Sequence, residues 1–113
     1  MKQKVINVLI MFRLFQQKYN FKGIFFTSNP KAIQKCEEYG IETVSEIWRN
    51  PYGIPFISGM FNRTYAMYNA SYYGYINADI LVSERIFDVL SFITSQRKMF
   101  RGRFVRIWIF DDL

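Results

Sequence analysis

The stretch Tyr75-Ile76-Asn77-Ala78-Asp79-Ile80-Leu81-Val82 decides the fold. Apolar residues flank three small or polar ones, which predicts an interior β-strand of an open α/β sheet, interrupted at Asn77-Ala78-Asp79. A carboxylate that closes a buried strand is costly unless a cation or hydrogen-bond donors accompany it. Asp79 is therefore the first candidate for a functional residue. The alternative is that Asp79 only caps a turn, as Asx residues often do.

Apolar runs and turn signals around this stretch predict alternating strands and helices. Ser28-Asn29-Pro30 is typical of a helix start, and Gly40 is typical of a helix end. The predicted strands are 23–27, 41–44, 73–76 and 104–110, and the predicted helices are 28–39, 56–69 and 83–96. This order predicts an α/β fold, with an open, mainly parallel sheet and flanking helices.

The first twenty residues allow two interpretations. Apolar side chains recur at spacings of three and four, which predicts a helix that ends near Asn20; they are Val5, Val8, Phe12, Phe15 and Tyr19. The β-branched content of residues 5–12 favours a strand instead. This apolar run is far shorter than the roughly 20 residues that span a bilayer, and no cleavage site follows it. We expect it to belong to the fold, with no transmembrane segment and a cytoplasmic location.

Composition limits the chemistry. The chain has 113 residues, of which 50% are hydrophobic and 19% aromatic, so we expect one folded domain and exclude intrinsic disorder. Cys36 is the only cysteine and there is no histidine. An intramolecular disulfide, a His/Cys zinc site and a histidine general base are therefore excluded. We interpret Cys36 as a structural thiol in a helix, because it has no histidine to activate it.

The chain is basic, with 15 Lys and Arg against 9 Asp and Glu and a formal charge of +6. Basic residues crowd the segment 97–106. A positive surface favours encounters with phosphates, nucleic acid or anionic lipid, but charge alone does not choose among these partners.

Three segments, taken in order, resemble the nucleotide-sugar glycosyltransferase-like family of the GT-A type. They are Phe25-Phe26-Thr27-Ser28, then Arg49-Asn50-Pro51-Tyr52-Gly53-Ile54-Pro55, then Tyr75-Ile76-Asn77-Ala78-Asp79-Ile80-Leu81. The resemblance covers roughly residues 5–106. It implies a partial GT-A domain, a Rossmann-like three-layer architecture that binds a nucleotide-sugar donor.

By this resemblance, Asn-Ala-Asp is a variant of the family's Asp-x-Asp motif, whose carboxylate holds a divalent cation against the donor's diphosphate. Asp79 is then the ligand of Mn²⁺ or Mg²⁺, and Asn77 is its hydrogen-bonding neighbour. Arg49 and Asn50 are candidates for shaping or contacting the donor pocket. The alternative for these two residues is loop architecture, in which Asn50 caps a turn and Arg49 pairs with a nearby glutamate.

The chain also departs from the family pattern. Ile54 stands where the family usually has threonine. The family domain begins with a central, nucleobase-binding strand that would precede Met1, and its acceptor half would follow Arg106. We therefore expect an incomplete domain without an assignable catalytic base. The missing strand would leave two neighbours unpaired, unless residues 5–12 fill the gap, the two edges close together, or the chain is a fragment that is unstable alone.

Two other functions stay open at this point. The first is a non-catalytic remnant of the same fold with no intact site. The second is an RNA-binding module, prompted by Arg101-Gly102-Arg103-Phe104-Val105-Arg106-Ile107, which partly resembles an RNP1 strand. Arg103 and Arg106 interrupt the aromatic pattern that would stack on bases, so nucleic acid is the less favoured partner.

Overall fold

The chain folds as an α/β protein. The computed structural model describes residues 3–46, 49–52, 56–70, 72–97 and 105–110, with only the backbone described at 94–97 and 105–110. Its elements, in chain order, are α1 (Gln3–Lys18), β1 (Phe21–Phe26), α2 (Pro30–Tyr39), β2 (Glu42–Val44), α3 (Ile57–Met67), β3 (Tyr72–Asn77), α4 (Arg85–Arg97) and β4 (Val105–Phe110). The predicted alternation of strands and helices is confirmed.

The strands of the described residues form one parallel sheet in the order β2-β1-β4-β3. In its register, Phe26 of β1 lies beside Phe110 of β4, and Phe110 lies beside Asn77 of β3. Because all strands run in the same direction, their carboxyl ends meet at one edge of the sheet, which we call the carboxyl edge.

The prediction that 75–82 is an interior strand is wrong in two respects. Within the described part of the chain, β3 is an outer strand that pairs only with β4. It ends at Asn77, and Ile80, Leu81 and Val82 are not in a strand. Apolar composition made the stretch resemble a buried strand, but Ile80 and Leu81 are 45% and 60% exposed. They lead instead into α4.

Residues 3–18 form a helix, so the helical interpretation of this segment is confirmed and the strand alternative is wrong. Its buried stripe is Val5, Val8, Leu9, Phe12 and Phe15. This stripe packs on β1, α2 and α4 in a core where Phe15 makes edge-to-face contacts with Phe21 and Phe87 at ring-centroid distances of 5.5 and 5.0 Å. Such contacts stabilise the core beyond simple burial.

The centre of the sheet is filled by β4. This strand comes from the last described segment of the chain, lies between β1 and β3, and pairs with both over six residues. Two of the three outcomes expected for an unpaired centre do not occur there. Residues 5–12 stay helical, and β1 and β3 do not pair with each other.

On the opposite face of the sheet, α3 packs over Ile24, Phe26 and Val44 through Met60. Five residues at helical spacings in the sequence predict one core-facing stripe on this helix: Ile57, Met60, Phe61, Thr64 and Tyr65. Met60 and Thr64 are buried, but Ile57 and Tyr65 are 45% and 70% exposed. The stripe prediction is therefore only partly correct. A single helix of 11 residues contacts the sheet along a narrow line, so the margins of its apolar stripe stay in solvent.

Helix α2 begins and ends where the sequence predicted. Asn29 is its N-cap, with the side-chain oxygen accepting the Lys31 N–H at 2.9 Å, and Pro30 occupies the first turn. Gly40 ends the helix with a φ of 70°, in the left-handed region that favours glycine. Cys36 is fully buried in this helix, as expected of a structural thiol.

Candidate functional site

Asp79 lies in a turn directly after β3, at the carboxyl edge. The Ile80 N–H donates to the Asn77 carbonyl at 3.2 Å and closes the turn, while the Asn77 side-chain oxygen accepts the Tyr75 hydroxyl at 3.1 Å. The side chains of Asn77 and Asp79 are both exposed. The expectation that Asp79 closes a buried strand is therefore wrong, and burial gives no reason for Asp79 to have a partner. Its position at the strand end is confirmed.

The turn is held at its far end by α1. The Val82 N–H contacts the Met11 sulfur at 3.2 Å, and Ala78 packs against the core that α1 shares with β1. Ser83 then starts α4, since its hydroxyl accepts the Arg85 N–H at 3.2 Å and its carbonyl accepts the Ile86 N–H at 3.1 Å. Asp79 is thus an exposed residue on an anchored segment.

A charged cluster links this segment to the end of α1. The Glu84 carboxylate accepts hydrogen bonds from Lys18 Nζ and the Tyr19 hydroxyl, both at 3.0 Å. The Lys18 hydrogen bond, followed by the Tyr19 hydrogen bond, lowers the pKa of Glu84. The same carboxylate raises the pKa of Lys18. The Tyr19 ring stacks on Phe87 at 3.9 Å, which adds an apolar contact to the polar ones.

Arg49 and Asn50 follow the carboxyl end of β2. The Asn50 side-chain oxygen accepts the Tyr52 N–H at 2.9 Å, which is the turn-capping contact predicted as the alternative role of Asn50. Arg49 is exposed, and the Tyr52 side chain is 88% exposed. The rest of the loop motif, Gly53-Ile54-Pro55, lies outside the described residues.

The two halves of the predicted site lie at opposite sides of the sheet. β2 and β3 are the outer strands of the order β2-β1-β4-β3. Their carboxyl ends, Val44 and Asn77, are therefore separated by three inter-strand spacings of about 4.8 Å, or roughly 14 Å. The carboxyl ends of β2 and β3 therefore lie at the same edge of the sheet but do not contact each other.

Between them lies the amino end of α2, which the sequence did not indicate as part of the site. Thr27 directly follows β1 as a fully buried polar residue, and its hydroxyl accepts the Asn29 N–H at 3.1 Å. The Thr27 N–H donates to the Val44 carbonyl at 3.0 Å and joins the ends of β1 and β2. A polar residue that closes an apolar run was the available sequence signal.

Over the described ranges, no group of three or more His, Cys, Asp or Glu side chains could hold a metal ion. Most of the RNP1-like segment 101–107 lies outside the described residues. No described helix is both long enough and apolar enough to cross a membrane.

In comparisons with known proteins, no family model, no curated protein and no solved structure matches this chain.

Proposed function

We propose that this chain is a GT-A-like, Rossmann-like three-layer domain that binds the diphosphate of a nucleotide sugar through a divalent cation at Asp79. The observation that carries the proposal is the exposed Asn77-Ala78-Asp79 turn at the carboxyl edge of a parallel sheet. Ligands of open α/β sheets bind outside the carboxyl ends of the strands. The resemblance of this segment to an Asp-x-Asp motif supports the choice of ligand.

The residues of the turn fit a hard cation in part. Mn²⁺ and Mg²⁺ prefer oxygen ligands and can be held by one or two carboxylates, with substrate phosphates and waters completing the shell. Asp79 offers a carboxylate and Asn77 an amide oxygen, both in solvent. One carboxylate alone binds weakly, so we expect cation and diphosphate to bind together. When bound, the cation neutralises charge on a departing nucleoside diphosphate.

In this proposal, Arg49 and Asn50 contact a different part of the same donor molecule. They follow β2, the outer strand on the opposite side of the sheet from β3. We assign Asp79 and Asn77 to the cation and diphosphate, and Arg49 with Asn50 to the remainder of the donor pocket. The amino end of α2, with its cap Asn29, follows β1 between them and favours negative charge through the helix dipole.

Titration calorimetry tests the proposal. We expect at least one of UDP, GDP and ADP to bind about tenfold more tightly, or more, with Mn²⁺ than without it. Asp79→Asn should abolish the gain, because the amide cannot supply the anionic ligand. Asp88→Asn, an exposed acid in the first turn of α4, is the matched control and should keep the gain.

Two results would contradict the cation role: equal nucleotide affinities with and without Mn²⁺, or an Asp79→Asn variant whose affinity rises with Mn²⁺ as much as that of the wild type. A chain that is folded by circular dichroism and binds none of the three nucleotides would instead support the non-catalytic remnant.

A further inference from the structure

The Asn77 side chain, at the carboxyl edge, has one polar group engaged and one available. Its amide oxygen accepts the Tyr75 hydroxyl at 3.1 Å. Its N–H₂ group donates to no acceptor in the described part of the chain, and the side chain is exposed. The amide of an asparagine carries two N–H donors beside its one oxygen. Asn77 therefore presents hydrogen-bond donors to solvent.

The orientation of this amide is set by Tyr75. Alternate residues of a strand lie on the same face, so Tyr75 and Asn77 share one face of β3. The Tyr75 ring is half-buried and packs against the core cluster that includes Ile24 and Met60. A packed ring fixes the place of its hydroxyl, and the hydroxyl in turn holds the Asn77 oxygen.

The charge beside Asn77 makes such hydrogen-bond donors useful to an anion. Asp79 lies two residues further along the same turn and is exposed. Its carboxylate repels a diphosphate, and a bound cation offsets only part of that repulsion. Hydrogen-bond donors on a neighbouring side chain offset more of it, because hydrogen bonds to a charged oxygen are roughly twice as strong as those between neutral groups.

The Asn77 oxygen is a poor cation ligand in this arrangement. A cation bound to it would lie close to the hydrogen of the Tyr75 hydroxyl, which carries partial positive charge. The hydroxyl and the cation would then compete for one oxygen. The N–H₂ group of the same amide has no such competitor among the described residues.

We infer that Asn77 binds a phosphate oxygen of the nucleotide sugar through its N–H₂ group, and that Tyr75 is the positioning residue that orients this group. The inference rests on the proposed function and divides the roles within its site. Asp79 holds the cation, and Asn77 holds the diphosphate. An aspartate at position 77 would therefore not do the work of Asn77.

Titration calorimetry with UDP, GDP and ADP at saturating Mn²⁺ tests the role of Asn77. For the nucleotide that the wild type binds, Asn77→Asp should lower the affinity about tenfold or more, because a second carboxylate replaces the hydrogen-bond donor. Asn77→Ala only removes the donor and should lower the affinity about threefold to tenfold. If Asn77 were a cation ligand, Asn77→Asp would raise the affinity, since Mn²⁺ favours carboxylates. A raised or unchanged affinity of Asn77→Asp overturns the inference.

Tyr75→Phe tests the positioning role, because it keeps the packed ring and removes only the hydroxyl. It should lower the affinity about threefold in the wild-type background and have no further effect in an Asn77→Ala background. Equal losses in the two backgrounds would show a structural role and overturn the positioning of Asn77 by Tyr75. Tyr65→Phe, at a 70% exposed residue of α3, is the control and should bind as the wild type does.

The outcomes separate this inference from the proposed function. A wild type that is folded by circular dichroism and binds none of the nucleotides overturns both. Binding that gains with Mn²⁺ but becomes tighter in Asn77→Asp overturns only the inference. Binding that is independent of Mn²⁺, and that falls in both Asn77→Asp and Asn77→Ala, contradicts the cation role and supports the inference.

Discussion

Strands β1 and β3 have the same length and direction and lie in the same sheet, but they differ in burial. In β1 every residue except Lys22 is buried, whereas in β3 no residue is buried and Asn77 is exposed. β1 lies between β2 and β4, with the α1 core on one face and the α3 core on the other. β3 is an outer strand. The comparison shows that stability concentrates around β1, while the candidate site follows the less buried strand.

This division has a functional consequence. Residues whose side chains are exposed contribute little to folding and are available to a ligand. Asn77 and Asp79 meet that condition, so replacing them should change binding far more than stability. Thr27, at the end of β1, does not meet it, because its fully buried hydroxyl takes part in the connection to α2.

The largest expected difference in stability between the surroundings of β1 and those of β3 is for replacement of Phe12. Its ring is fully buried against β1, so Phe12→Ala should lower the free energy of unfolding by about 3–5 kcal/mol through lost burial and a residual cavity. Ile80→Ala, 45% exposed beside Asp79, should change it by no more than about 0.5 kcal/mol. Urea unfolding followed by circular dichroism measures both. Similar losses would show that the described burial does not control stability.

A smaller effect is expected at Gly23, which lies in the same row of the sheet as Gly74, on either side of Ile107. A Cβ on Gly23 would lie 2.2 Å from the Phe12 ring, which is too close for any real contact. Gly23→Ala should therefore cost about 1–3 kcal/mol, because Phe12 must move within a packed core. We expect a smaller loss for Gly74→Ala, since Gly74 is only half-buried. Equal losses in urea unfolding would remove the distinction between the strands.

The smallest expected effect concerns Glu84, where the two regions are joined. Because its pKa is lowered in the folded chain, its contribution to stability is present at neutral pH and is lost as the pH falls through that lowered value. At high pH, the contributions of Lys18 and Tyr19 are lost as the pH rises through their raised pKa values. Lys18 and Glu84 are exposed and Tyr19 is only half-buried, so the change in stability should be slight.

Urea unfolding curves measured across the acidic pH range would detect the contribution of Glu84 to stability. Glu84→Gln should flatten the dependence of stability on pH relative to the wild type, and Glu37→Gln, an exposed acid of α2, should not. Identical slopes for the wild type and Glu84→Gln would mean that the cluster does not link α1 to the 78–84 segment energetically.

Local signals predicted most of the elements correctly. The cap at Asn29, the proline after it and the left-handed Gly40 set the bounds of α2 through the backbone groups next to them. The apolar run in 23–27 predicted a strand, and β1 forms there and is buried on both faces. Such features depend on neighbours within a few residues, so they can be read without knowledge of the fold.

The site was predicted less completely. The sequence located Asp79 at a strand end, but it predicted a buried environment that the structure does not have, because β3 is an outer strand. It grouped Arg49 and Asn50 with Asp79, although the strands before them lie at opposite sides of the sheet. The order of strands in a sheet depends on pairing between distant segments, and no local pattern encodes it.

The sequence by itself determined the fold class, the bounds of α2 and the exclusion of disulfide and histidine chemistry. It left residues 5–12 open between a helix and a strand. Periodicity, caps and composition act over short distances along the chain, which is why they were sufficient. Only the tertiary structure decided that β4 fills the centre of the sheet and that β3 is left outside it. That outcome also exposed Asp79, because the burial of a side chain depends on which strands and helices pack beside it.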